Sequence, residues 1–530
     1  MNAIIRIGTS TCGLAAGAEV VADAVETAVK HRKLPVTVQR TGCLGACHRE
    51  PLVDVHHDGT ATLYGPVTPE QVEPLLDQHF GAGGAAPQEW VVSRRADRSD
   101  YPFLARQVKV TTQLCGLIDP HSLEDYLAHD GYQGLRLALG MAPEKVIQIV
   151  KDSRLRGRGG AGFPTGLKWE ISQRQPGKPK YIICNADEGD PGAFMDRSMI
   201  EGDPHRLLEG MLIAAWAIGA SIGYLYVRAE YPLAIKALRT AIEQAGRYGV
   251  TGKNILGSGM DFEFIIKEGA GAFVCGEETA LMQSIEGYRG MPRMRPPYPS
   301  EAGLWGRPTS INNVETFASV ASILLHGPEW FSQMGTANSG GTKTFALAGA
   351  IENSGLVEVP IGRPLREIIF DVGAGCRDGR AVKAVQLGGP SGGCIPASML
   401  DTLIDYEDLR ATGAIMGSGG MIAMDEGTCM VDMARYFLTF TQHESCGKCV
   451  PCRVGTRKML GMLTAICQGR ATLETVEQLK RLCETVQKAS LCGLGVTAPN
   501  PVLTTLRYFE DEYLAHIVDK RCPAGACQMP

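Results

Sequence analysis

Along the first 80 residues the apolar positions alternate at period two, shift to helical spacing, and return to period two. Residues 3–8 read as a strand, and 17–32 as an amphipathic helix with Val20, Val21, Ala24 and Ala28 on its apolar side. Strand-like stretches at 35–39, 52–55 and 60–64 follow. Thr68-Pro-Glu-Gln71 has the capping-box pattern with proline at the first helical position, so a helix is predicted through 72–78. This order predicts a small α/β domain over 1–80. A Gly-Ala-Gly-Gly-Ala-Ala-Pro run then opens a polar linker, 81–102.

From about 103 to 340 helix and strand alternate. Helices are predicted at 143–151, 204–218 and 232–245, and strands at 181–184, 224–227 and 262–266. Such alternation predicts a Rossmann-like parallel sheet with helices on its faces and ligands beyond the C-terminal ends of the strands. Residues 341–410 form a further module, with short strands at 343–348, 356–359 and 384–387. A tight loop at 388–394 holds Cys394, which reads as buried. Residues 411–530 are predicted to be a bundle of four helices at 428–441, 453–468, 473–488 and 501–516.

With 530 residues the chain exceeds what one core supports, so several domains are expected. The net charge is −5 and no long basic run occurs, which argues against nucleic acid and anionic membrane as partners. The most apolar stretch, 211–223, is too short to span a bilayer and reads as a buried helix. The N-terminus enters a strand pattern without a signal-peptide layout. Seventeen cysteines then point to metal and redox chemistry in a reducing cytosol.

The strongest chemical signal is Glu444-Ser-Cys-Gly-Lys-Cys-Val-Pro-Cys-Arg453. Cys446, Cys449 and Cys452 at C-x2-C-x2-C spacing suit three corners of one iron–sulfur cube. The same three crowd around a single zinc ion, whose sites draw on two separated pairs. A zinc site or a reduced CxxC pair is the alternative. Cys492, in Leu491-Cys-Gly-Leu-Gly495, is the candidate fourth ligand, because it ends a helical segment beside glycines. Near the N-terminus the element order suits a thioredoxin-like domain, with Cys12, Cys43 and Cys47 at its loops. Cys43 and Cys47 resemble half of a two-iron site. The other half requires a cysteine at position 7, which is Ile7, so a [2Fe-2S] cluster is not expected there. Cys522 and Cys527 have no evident partners.

Four loops in the central region carry ligand-binding character. Arg156-Gly-Arg-Gly-Gly-Ala-Gly-Phe-Pro-Thr-Gly-Leu-Lys-Trp169 fits G-x-G-x-x-G formally, but no strand is predicted before it. Its backbone N–H groups suit an anion, with Arg156, Arg158 and Lys168 adding positive charge. Asn185-Ala-Asp-Glu-Gly-Asp190 places Asp187, Glu188 and Asp190 after a strand. Gly269 to Thr279 leads through glycines to Glu277 and Glu278. Gly303 to Val314 offers the amides of Asn312 and Asn313.

These loops, in this order and followed by the cysteine motif, resemble the NADH-binding flavoprotein subunit of respiratory complex I (51 kDa type). They equally resemble the diaphorase subunits of NAD-reducing hydrogenases and of NAD-dependent, molybdenum- or tungsten-containing formate dehydrogenases. The resemblance spans about 110–525. It implies FMN lined by Gly157, Gly159, Lys168, Asn185, Asp187, Gly276, Asn312 and Asn313. It implies NAD(H), the substrate, bordered by Phe163, Glu188, Asp190, Glu278 and Arg295. The [4Fe-4S] ligands would be Cys446, Cys449, Cys452 and Cys492. It further implies a β-grasp (SLBB-like) domain at 341–410 and no catalytic side chain, since FMN itself exchanges the hydride and splits the electron pair.

Glutamate is usual in complex I members where this chain has Asp190, and tyrosine where it has Phe273. Together with the short N-terminal domain, this favours the β subunit of a cytoplasmic formate dehydrogenase. Its expected partners are a molybdenum or tungsten catalytic subunit and a small [2Fe-2S] thioredoxin-like subunit. A hydrogenase diaphorase, a complex I subunit and a non-catalytic electron relay are the alternatives.

Overall fold

A computed structural model describes residues 3–81 and 86–529 of the chain. Residues 82–85, which open the expected linker, and the first two residues lie outside this description. The fold is a mixed α/β assembly of three sheets and many helices. No described helix is long and apolar enough to cross a membrane.

The first sheet contains β1 (Ala3–Gly8), β2 (Val36–Thr41), β3 (Val53–His57), β4 (Thr60–Tyr64) and β5 (Val91–Ser93) in the order β2-β1-β3-β4-β5. β1 pairs parallel to β2 and antiparallel to β3. The helix Ala18–Arg32 covers it with Val21, Val25, Ala28 and Val29, one residue around from the expected face, and Val20 is 60% exposed. β5 comes from the stretch expected as linker. Its end is held by Asp100, which accepts hydrogen bonds from the Ser93 hydroxyl and the Arg94 amide at 2.5 and 2.8 Å.

The second sheet is wholly parallel: β6 (Tyr181–Ala186), β7 (Ile222–Arg228), β8 (Glu263–Gly269) and β9 (Thr309–Asn313), in the order β8-β7-β6-β9. From β6 the chain steps to β7 and β8, then returns to the far side of β6 as β9. The order therefore reverses between β6 and β9, where open α/β sheets bind ligands. The helix Pro204–Ile218, almost entirely buried, packs with Val314–His326 in the main core, so its apolar run faces protein.

The third sheet runs β11 (Gly355–Pro360), β10 (Thr342–Gly349), β14 (Gly420–Asp425), β12 (Val382–Leu387), β13 (Gly393–Pro396). β14 sits at its centre, parallel to β10 and antiparallel to β12. The sheet thus reaches past residue 410, where the helical region was expected to begin. Two buried carboxylates lock it onto the rest. Glu358 accepts hydrogen bonds from the backbone of Val110, Thr111 and Thr112. Glu315 is ion-paired with Lys343, both fully buried, and accepts the Thr344 amide at 2.8 Å. Paired in this way, the charges are tolerated in the interior; removing one partner would leave the other stranded.

The C-terminal helices are Met430–His443, Val450–Cys467, Leu473–Ala489, the short Gly493–Thr497 directly after Cys492, Asn500–Tyr508 and Glu510–Ile517. The single helix expected at 501–516 is broken at Phe509, whose φ of −135° is not helical. Phe509 packs against the small cluster of Ala384, Cys394, Met424 and Met430, between sheet and helices. A new helix starts behind it with Glu510, Asp511 and Glu512 in its first turn, where negative charge suits the helix dipole.

Candidate functional site

At the reversal point the register pairs Cys184 with Asn312 and Asn185 with Asn313 across β6 and β9. The glycine loop closes over this edge through an antiparallel bridge from Arg156 to Pro164. Gly159 lies against Asn313, whose Cβ would be 3.1 Å from an added side-chain carbon. At Gly162 φ is +66° and a Cβ would meet the Tyr406 ring at 2.4 Å, so this turn requires glycine. Gly157 accepts the Tyr406 hydroxyl at 2.9 Å through its carbonyl. Phe163 stands out of the loop, 47% exposed.

The cations of this loop do not all face the same way. Arg158 is fully buried and donates to the carbonyls of Thr342, Gly340 and Arg156. Arg156 pairs with Glu407 at 2.8 Å. Both guanidiniums therefore secure the loop. Lys168, in the helix Thr165–Gln173, is the one directed to the sheet edge, where it donates to the Ile311 carbonyl at 2.6 Å and pairs with Glu278.

Glu278 opens the helix Glu278–Ile285, and Glu277 caps it by accepting the amides of Thr279 and Ala280. Arg295 reaches both acids, at 2.9 Å for Glu277 and 3.4 Å for Glu278. Burial works to raise the Glu278 carboxyl, but Lys168 and Arg295 outweigh it and hold the group below its ordinary value. Asn185 donates to the Gly276 carbonyl at 2.9 Å, and Asn312 accepts the buried Trp169 indole at 3.0 Å. Asn313 accepts the Glu315 amide and donates to Asp196 at 2.6 Å.

The three acids after β6 have different surroundings. Both carboxylate oxygens of Asp187 are buried without a hydrogen-bond partner, and so is Nη1 of Arg228, 3.7 Å away. Burial pushes the Asp187 carboxyl up to about 7 despite Arg228. Glu188 caps the helix Met195–Gly202 by accepting the amides of Asp196 and Arg197. Asp190 accepts the Ser418 hydroxyl at 2.6 Å, against the third sheet, and burial raises it to about 6. An unpartnered buried carboxylate beside Asn185 and Gly276 at the reversal point fits a ligand rich in hydroxyl donors, as the ribityl chain of a flavin is.

Cys446, Cys449, Cys452 and Cys492 line one cavity, together with Ser445, Lys448, Leu494 and Val274. Gly495 permits the approach: a Cβ there would stand 3.0 Å from the Cβ of Cys452. No three of these four sulfurs all lie within 4.8 Å of one another. They are thus too spread for one tetrahedral ion and suit a cube with one thiolate per iron. The cavity abuts the loop after β8. Glu444 accepts the Phe273 amide at 2.9 Å, and Lys448 donates to the Pro292 carbonyl at 2.5 Å.

At the N-terminus Cys43 and Cys47 have their sulfurs 3.7 Å apart, with a Glu50 oxygen 3.9 Å from Cys43. Ile7 is buried within β1. Arg228 had no signal in the sequence beyond its place at a strand end.

Residues 150–322 match the family described as the Nuo51 FMN-binding domain, and 432–516 match the NADH-ubiquinone oxidoreductase-F iron-sulfur binding region. Among curated proteins, the NADP-reducing hydrogenase subunit HndC of Solidesulfovibrio fructosivorans is 56% identical over 422 residues, 80% of this chain and 86% of that protein. An F-type NADH-quinone oxidoreductase subunit of Rhizobium meliloti is 45% identical over 423 residues, 80% of this chain and 99% of its own length. Among solved structures, an NAD+-reducing [NiFe]-hydrogenase in the H2-reduced state aligns with a TM-score of 0.68 at 32% identity. That alignment covers 97% of this chain and 84% of the hydrogenase chain. With an FMN-binding domain and a [4Fe-4S] region in one polypeptide, the chain belongs to the 51 kDa-type family of flavin and iron–sulfur subunits of complex I and its relatives.

Proposed function

We propose that the chain is a diaphorase subunit that passes electrons between NAD(H), FMN and its [4Fe-4S] cluster. The observation that carries this reading is one shared loop, 269–279. It gives Val274 to the wall of the cysteine cavity, Gly276 to Asn185 and Glu278 to Lys168. A flavin held at the sheet edge would then neighbour the cluster. Bound FMN supplies hydride exchange with nicotinamide and single-electron release.

The residues of the chain bind and orient. In this reading Gly157, Gly159 and Gly276 leave room for the flavin, while Asn185, Asn312 and Asn313 fix the strand ends that face it. Asp187 accepts hydroxyl donors, and Lys168 supplies positive charge. Phe163, Glu278 and Arg295 border the dinucleotide. Glu188 and Asp190 support that border through the helix Met195–Gly202 and through Ser418. The carboxylate of Glu278 favours ribose hydroxyls and disfavours a 2′-phosphate, hence NAD(H). Cys446, Cys449, Cys452 and Cys492 are the cluster ligands. The three sheets and the helices correspond, in order, to thioredoxin-like, Rossmann-like and β-grasp domains and a helical bundle.

The parent complex is a separate question. Asp190 and the three-thiolate N-terminal site support the β subunit of a formate dehydrogenase, partnered by a molybdenum or tungsten subunit and a small [2Fe-2S] subunit. The names of two relatives support a hydrogenase and that of the Rhizobium relative supports complex I, and the first two readings differ in their electron donor. Purification of the native complex followed by NAD+ reduction with formate or with H2 separates the two. Formate-driven NADH formation supports the first, and H2-driven formation alone supports the second. NADH-dependent dye reduction by the chain itself tests the diaphorase reading common to both.

A further inference from the structure

Cys429, His516, Cys522 and Cys527 bring their four ligand atoms within 4.8 Å of one another. None belongs to the cluster cavity, and all but His516 lie outside the matched iron–sulfur region. The Cys429 sulfur is 3.7 Å from that of Cys527 and 3.5 Å from Nε2 of His516, which is 3.4 Å from the Cys527 sulfur. A tetrahedral zinc with ordinary bond lengths gives edges of about 3.8 Å between sulfurs and about 3.5 Å between sulfur and nitrogen. The contacts match those edges.

The surroundings also fit. Nδ1 of His516 lies 2.6 Å from the Glu512 carbonyl. A carbonyl only accepts, so Nδ1 carries the proton and Nε2 presents its lone pair to the other three groups. The Asp432 amide donates to the Cys429 sulfur at 3.5 Å, as backbone amides do for a metal-bound thiolate. Cys429 and His516 are fully buried, and Cys522 and Cys527 close the site from its exposed side. We propose that these four residues form a structural Cys3His zinc site. Four protein ligands leave no open position, and zinc has no redox chemistry, so the site neither reacts nor carries electrons.

Its mechanical role follows from its place. Cys429 caps the helix Met430–His443, whose far end leads into the cysteine motif. At 1.5 Å per residue, its 14 residues put the ion about 20 Å from the cluster. The ion would tie residues 522–527 and the helix Glu510–Ile517 to the base of the helix that carries the cluster segment.

The test is metal analysis of the full chain, produced with zinc supplied and carrying its flavin and four irons. About one zinc per chain is expected, with Cys522→Ser and Cys527→Ser each reducing it to below about 0.2. Cys467→Ser is the control, because Cys467 adjoins Cys527 and Asp432 but lies outside the tetrahedral set; it should keep the zinc. Flavin and iron contents should stay at parental values in Cys522→Ser. Cobalt(II) exchanged into the parent should give the visible bands of tetrahedral thiolate coordination, lost in that variant. Zinc below about 0.2 in the parent chain, or iron in excess of four that disappears with Cys522→Ser, overturns the assignment.

Discussion

Lys168 and Glu278, 110 residues apart in the chain, are ion-paired at the C-terminal edge of the parallel sheet. One stands in the helix behind the glycine loop and the other at the head of a helix behind the loop after β8. The pair therefore links the flavin side of the proposed site to the dinucleotide side. Glu278→Gln should weaken NADH binding while FMN and cluster remain. Loss of a charge-assisted hydrogen bond costs about 1.5–3 kcal/mol. That corresponds to roughly 10- to 100-fold in dissociation constant. A constant within about twofold of the parent, with a lowered melting temperature instead, would show that Glu278 serves packing alone.

Cys492 lies far from the other three cysteines in sequence yet lines the same cavity. Cys492→Ala should abolish the four-iron cluster or convert it to a three-iron form, with flavin retained. Iron content and the reduced EPR signal report this. A variant with both unchanged would rule out Cys492 as a ligand.

Asp187 gives a pH signature. Burial raises its folded carboxyl from 3.8 to about 7. Between those values the folded state holds a proton that the unfolded state has released, so this group makes stability fall as pH rises through the window. In flavin-free chain, Asp187→Asn should flatten the decline in melting temperature from about pH 4 to pH 7. Other buried acids, Glu188 and Asp190 among them, keep part of the slope. Equal slopes in parent and variant would refute the assignment.

The N-terminal thiols are expected to hold no iron, because the fourth position is Ile7, buried within β1. Cys43→Ser should then leave iron and sulfide per chain unchanged after anaerobic reconstitution. A loss of two irons would establish a cluster there, with Glu50, 3.9 Å from Cys43, as the evident replacement ligand.

What could be read from the sequence was what periodicity and local spacing encode. The parallel strands expected at 181–184, 224–227 and 262–266 and the helices at 204–218 and 232–245 have strong apolar patterns, and the structure has them within a few residues, whereas β9 (Thr309–Asn313) lies in a stretch read as a loop because its polar Thr, Ser and Asn residues hide the strand. The C-x2-C-x2-C run is local, so its chemistry was legible. Failures came where long-range packing decides. β14 is short and joins β10 and β12 from beyond residue 410, a pairing that no local pattern contains. The break at Phe509 follows from its packing against Met424 and Met430. Arg158 looks like a phosphate ligand in its loop, but three carbonyls take it up. Cys527 found no partner in the sequence because Cys429 is 98 residues away and His516 sits inside a helix.

Anaerobic titration of the purified holo chain with NADH tests whether one chain joins a flavin site for NAD(H) to its own iron–sulfur cluster. Flavin absorbance and the EPR signal of the cluster are followed in the same sample. Bleaching of the flavin together with reduction of a [4Fe-4S] cluster is expected, both absent when NADH is omitted. Bound flavin and intact cluster that stay oxidised under excess NADH would contradict it.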